Sequence, residues 1–163
     1  MAGGKVSPVV ITCAAMVMAM ERVELLKTLD ATLKHIFIAG QLYDDALDWR
    51  FDLADGHVTY FLTQFLIEDG IGSFKLPDEA EVLTSMDSNW QDVEHLKQAL
   101  AGYRQALGVV DGLACHAWKA LVEEYISMTE THRLELIHFH VMKKLSQISE
   151  SDLRAAFGEP EMP

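Results

Sequence analysis

The stretch IAGQLYDDALDWRFDLADGH, Ile38 to His57, carries five aspartates within twelve residues, in an otherwise largely apolar segment. On a helical wheel at about 100° per residue, with Asp44 at zero, Asp55, Asp48 and Asp52 fall near roughly 20°, 40° and 80°. Gln41 lies among them and Asp45 marks the edge of the arc. The rest of the wheel carries Leu42, Trp49, Leu53, Ala46, Tyr43, Leu47 and Phe51, interrupted only by Arg50. A surface helix has a broad polar face and a narrower apolar stripe. This segment inverts that proportion, which predicts a mostly buried helix bearing a narrow acidic line.

Such a line is costly. Asp44–Asp48 and Asp48–Asp52 are like-charge pairs at i,i+4, each destabilising by about 0.2–0.5 kcal/mol even when exposed. Burial raises that cost, because a desolvated carboxylate has to be paired, protonated or bound to metal. Asp is also a poorer helix former than Glu. Its short stem holds the oxygens close to the helix axis, which suits a fixed cation. Hard oxygen donors without accompanying His or Cys point to Mg²⁺ or Mn²⁺. Mg²⁺ takes one or two protein carboxylates and completes its shell with water and substrate phosphate. The expectation is a carboxylate line facing a cavity, holding Mg²⁺ that in turn holds a phosphorylated ligand. The bland reading is a solvated acidic face balanced by Lys and Arg of neighbouring helices.

Outward from this stretch, the chain of 163 residues is half hydrophobic, with a formal net charge of −12. That length suits one domain with a sizeable core. Without a Lys/Arg block, nucleic acid and anionic membrane are poor partners. Cys13 and Cys115 lie in apolar helical patterns and read as reduced core residues, which fits a cytoplasmic location. The apolar run SPVVITCAAMVMAM is too short to span a bilayer. It lacks a clear signal-cleavage site before Glu21. It reads as a helix that is apolar all round, and so as a central one. The eight methionines, several around that run, read as adaptable core filling.

Leu, Ala, Met, Glu and Lys dominate throughout, which predicts an all-α bundle. Helices are expected near 6–20, 22–54, 57–68, 78–86, 89–108, 110–128, 131–147 and 150–157, the second with a break around Thr28 to Asp30. EDGIGSFKLPDEAE reads as the one clear loop. Residues 1–157 form a single domain in this reading, and 158–163 a frayed tail.

The segment GQLYDDALD resembles the second aspartate-rich motif of trans-prenyl diphosphate synthases. Extended to QLYDDALDWRFDLADGHVTY, it is also similar to the corresponding segment of squalene and phytoene synthases. The resemblance implies the class I isoprenoid synthase fold, an all-α bundle around a deep apolar cavity. It implies that Asp44, Asp48 and Asp52 coordinate Mg²⁺ bridging to a prenyl diphosphate, with Asp45 beside them. Gln41 and Tyr60 would position second-shell hydrogen bonds or form the wall of the site. Lys5 stands where those synthases carry a phosphate-binding Lys, although Val6 replaces the usual Thr. His57 replaces the Lys or Arg expected after Gly56. The aromatic rings of Phe37, Tyr43 and Phe61 are candidates to face an allyl cation, with core packing as their bland reading.

Such synthases close two aspartate-rich helices on the substrate, and only one such helix occurs here. The resemblance therefore covers the C-terminal half of that fold, and implies either an oligomer in which another chain supplies the first motif or a divergent or truncated member. Two alternatives stand beside it. One is a non-catalytic partner or regulatory subunit of a synthase. The other is a di-iron bundle, with Glu135/His138 and Asp92/His95 as carboxylate–histidine pairs at i,i+3. His138 is expected at a helix surface and His140 near the core, and the segment of His116 and Trp118 reads as packing.

Overall fold

The computed structural model describes residues 7–68, 73–111 and 115–149. Those residues are overwhelmingly helical, in agreement with the all-α expectation. Helix α1 spans Ser7–Ala19, a 3₁₀ turn follows at Val23–Leu25, and α2 spans Leu26–Leu47. Short helices α3 (Trp49–Ala54) and α4 (Tyr60–Thr63) come next, then α5 (Glu79–Asn89), α6 (Gln91–Val110) and α7 (His116–Ser146).

Helix α6 forms the middle of the molecule, packed between α2 and α7. Its buried residues Leu96, Ala99, Leu100, Tyr103, Ala106 and Val110 recur at helical spacing, so one wide stripe is out of water. Small residues set the approach of α2. A Cβ on Gly102 would lie 3.0 Å from that of Ala39, so the two helices cross with almost nothing between them. On the other side the rings of Tyr103 and Tyr125 stack with centroids 5.4 Å apart. A second cluster of Trp49, Phe61, Leu62, Phe65, Val82 and Met86 joins α3, α4 and α5.

Several expectations are corrected. Helix α2 does not break at Thr28 to Asp30. The Thr32 hydroxyl donates to the Thr28 carbonyl at 2.7 Å, so the β-branched residue is absorbed within the helix. The break comes instead at Asp48, whose backbone (φ −108°, ψ 14°) leaves helical geometry between α2 and α3. The helices expected at 110–128 and 131–147 are one, α7. Thr129 and Thr131 both donate back to the preceding turn, at 2.7 and 2.9 Å, and no Gly or Pro interrupts the run. The helix expected at 57–68 shrinks to α4, capped by Thr59, whose hydroxyl accepts from Leu62 N at 3.3 Å. After it, β1 (Ile67–Glu68) pairs antiparallel with β2 (Phe74–Lys75), where the end of that helix and a loop were expected. The helix expected at 150–157, the tail and Lys5 lie outside the described residues.

The apolar run is not central either. Helix α1 packs lightly on α2, and Ile11, Met16 and Met18 are each about 60% exposed. With α6 already sandwiched between α2 and α7, no inner position is left for it. Cys13 is only half-buried and Cys115 is exposed, so neither is a core residue.

Candidate functional site: an acidic cleft at the α2–α3 bend

The end of α2, the bend and α3 enclose a cleft of ≈ 590 Å³ together with the loop that follows. The bend keeps its hydrogen bonds while changing direction. Asp48 N donates to Asp44 O at 3.0 Å, and the Asp48 carbonyl accepts from Phe51 N at 2.8 Å and Asp52 N at 3.2 Å. Beyond α3, Gly56 adopts φ 71°, a left-handed conformation that strains an L side chain. His57 N then donates to the Asp52 carbonyl at 2.8 Å, folding the loop back along the cleft.

Gln41, Asp44, Asp45, Asp48, Asp52 and His57 all line this one cleft. Four carboxylates from three helical turns thus share a single space, as the wheel required for three of them. Asp55 is exposed and does not line it, because the bend at Asp48 rotates α3 away from the straight-helix register. The segment is also less buried than expected. Phe51 is 76% exposed and Leu47 is 43% exposed, so the apolar arc is covered on part of α2 and, in α3, at Trp49 and Leu53.

The carboxylates differ in environment. Asp45 is buried, and its Oδ1 accepts from Gln41 Nε2 at 2.5 Å. Asp44 and Asp48 are open to solvent and Asp52 is half-buried. Partial desolvation first, then the charges of Asp48 and Asp45, push the Asp44 carboxyl above the ordinary range. The same causes raise Asp52, against a smaller opposing effect of His57, whose Nδ1 lies 3.8 Å from Asp52 Oδ1. Two acids pushed above their usual pKa, by partial desolvation first and then by neighbouring acids, mark a site short of positive charge.

Behind the cleft, His95 is buried against the rings of Tyr60 and Phe61, at centroid distances of 5.5 and 5.1 Å. Gln64 Nε2 lies 3.2 Å from its Nδ1. Burial lowers the His95 pKa, and the Asp45 charge opposes that shift. The sequence reading gave His95 only a di-iron role. Its place behind Asp45 had no signal in spacing, since it arrives from α6.

Other candidates separate from the cleft. Tyr60 is exposed and packs on His95 without lining the cleft, which corrects its expected place in the wall. Phe61 is a core residue. Tyr43 faces α7, its hydroxyl 2.5 Å from His132 Nδ1. The pairs proposed for di-iron do not converge. His138 is exposed and Asp92 pairs with His140, which is buried as expected, rather than with His95.

Among the described residues, no three His, Cys, Asp or Glu side chains are drawn together tightly enough to hold a metal ion unaided. The donor chemistry of the cleft nevertheless suits a hard cation, which needs only one or two protein carboxylates when water and phosphate complete its shell. Among the described residues, no helix is long and apolar enough to cross a membrane. No family model, curated protein sequence or solved structure matches this chain.

Proposed function

We propose that the chain is a Mg²⁺-dependent isoprenoid diphosphate-processing subunit, part of a terpene or prenyl synthase. One observation carries this reading: Asp44, Asp45, Asp48 and Asp52 line a single cleft that holds no lysine or arginine among the described residues. Asp44 and Asp52, raised by partial desolvation and then by the charges of Asp48 and Asp45, call for countercharge from outside the chain. Asp44, Asp48 and Asp52 would hold the metal, with Mn²⁺ as the substitute ion. Asp45, buried and held by Gln41, fixes the orientation of the last turn of α2. His57, on the loop lip beside Asp52, is the one titratable nitrogen on the cleft and offers a donor to a diphosphate oxygen. When bound, Mg²⁺ neutralises diphosphate and favours its departure from the allylic carbon.

Every described residue lining the cleft comes from the segment 41–59, and on this reading the chain supplies one wall of the site. The reading therefore includes a partner chain, identical or different, that brings the facing aspartate-rich helix. A second reading rests on the same observation: a regulatory subunit with one wall holds Mg²⁺–diphosphate without turning it over.

The test begins with calorimetric titration of inorganic diphosphate in the presence of Mg²⁺. Saturable, Mg²⁺-dependent binding is expected, weakened at least about tenfold by Asp44→Ala or Asp48→Ala, or ~1.4 kcal/mol. Binding that ignores both substitutions would remove the site. Diphosphate release from prenyl diphosphates of several lengths then separates the two readings. Release by the assembled oligomer supports the synthase subunit, and binding without release supports the regulatory one.

A further inference from the structure

We propose that a second cavity, at the opposite end of α2, binds a neutral, flat aromatic molecule. This cavity measures ≈ 530 Å³ and lies between α1, the start of α2 and the start of α7. That volume falls within the range of about 300–1,000 Å³ typical of small-molecule sites. From Leu29 on its wall to Asp45 in the acidic cleft is 16 residues of helix, about 24 Å. The two sites are therefore independent, and this inference does not rest on the function proposed for the cleft.

The chemistry of the lining selects the ligand. Four sulfur-bearing side chains meet here: Cys13, Met16 and Met20 from α1 and the turn after it, and Cys115 from the cap of α7. Cys13, Met16 and Met20 recur at i, i+3 and i+7, so they share one face of the helix. Trp118 adds an indole wall, and its Nε1 is buried without a hydrogen-bond partner among the described residues, so that N–H is open to a neutral acceptor atom on the ligand. Thioethers and thiols are polarisable and make favourable contacts with aromatic ring edges, and indole offers a flat face for offset stacking. Such a lining favours a conjugated ring system over a saturated chain of equal area.

Charge excludes the other classes. In a chain of net charge −12, no carboxylate among the described residues lines this cavity. A cationic ligand would find no counter-ion within it. The one cation on its rim, Arg22, already donates its Nε to Glu24 at 2.5 Å, which leaves little field for an anion. A neutral ligand meets no such mismatch.

The full chain should be titrated with the neutral fluorophore N-phenyl-1-naphthylamine, with the anionic anilinonaphthalene sulfonate in parallel. Expected are one saturable site for the neutral probe, weaker binding of the anionic one, and alkylation of Cys13 and Cys115 by iodoacetamide slowed at least fivefold at saturation. Filling the cavity with Leu29→Trp or, as a second variant checked for native circular dichroism, Val17→Phe should weaken the neutral probe at least tenfold. Ile11→Ser and Met18→Ser, on the exposed part of α1 outside the cavity, should leave it unchanged. Three results would overturn the proposal: binding lost in the Ser variants but kept in the filled ones, thiols alkylated at the unliganded rate, or tighter binding of the anionic probe.

Discussion

At the scale of the residue, the acidic line is a stability cost carried by the metal-free chain. Asp44 and Asp52 have folded-state pKa values above the ordinary 3.8, raised by desolvation and by Asp48 and Asp45. A carboxyl whose pKa rises on folding holds its proton more firmly in the folded state. Its penalty is therefore absent below pH 3.8, appears as pH rises through the folded value, and is complete above it. Asp44→Asn should stabilise the metal-free chain at neutral pH by a few tenths of a kcal/mol. Each i,i+4 repulsion is worth about 0.2–0.5 kcal/mol, and solvent around Asp44 and Asp48 screens it. The difference between variant and parent melting temperatures should shrink to zero on acidification, and Mg²⁺ with diphosphate should reverse its sign by stabilising only the parent. A variant that is less stable at neutral pH without metal would contradict this account. The gathering of Asp44, Asp48 and Asp52 was legible because like charges at i,i+4 share a helix face whatever surrounds them. Asp55 was misplaced because a wheel assumes straight geometry, and nothing in the sequence marked Asp48 as the bend.

At the scale of the element, the α5–α6 corner is locked onto the end of α7 by buried polar groups. His140 Nε2 lies 2.8 and 3.0 Å from the two oxygens of Asp92, and both residues are almost wholly buried. Its Nδ1 lies 4.0 Å from Asp87, which also binds Lys143. Trp90, in the left-handed conformation between α5 and α6, stacks on the His140 ring with centroids 5.4 Å apart. Removing either partner takes the main buried hydrogen bond from the other, although Asp92 still accepts from Val93 N at 2.9 Å. The loss is about 1–3 kcal/mol. Asp92→Ala and His140→Ala should each show it in urea unfolding, and the double variant should cost much less than the sum. Strict additivity would show that the two groups do not act as a pair. The burial of His140 was legible, but its pairing was not. Asp92 and His140 are 48 positions apart, and local spacing instead paired Asp92 with His95. The helices themselves were legible where periodicity was long, as in α6. They failed at threonines, which signal a break in sequence but were absorbed by back-bonding in α2 and α7.

At the scale of the whole molecule, an apolar sequence does not by itself fix a central position. The run in α1 matches a core helix in composition, yet α2, α6 and α7 satisfy one another and leave α1 on the outside. Ile11 and Met18 on α1, outside the second cavity, are exposed, as are Phe139, Met142 and Leu145 on α7. Monomeric proteins rarely leave large contiguous apolar patches in water, and a chain that builds one wall of a cleft has a second reason to associate. Sedimentation velocity across a hundredfold dilution should therefore show reversible self-association. Ile11→Ser with Met18→Ser should shift the equilibrium towards monomer by at least tenfold, or ~1.4 kcal/mol. The same pair of substitutions leaves the α2–α3 bend untouched, so diphosphate binding by each chain should survive while any turnover that needs two walls falls with the oligomer. A monomer at every concentration would mean that these faces are not covered by copies of the chain. The facing wall would then have to come from a different protein.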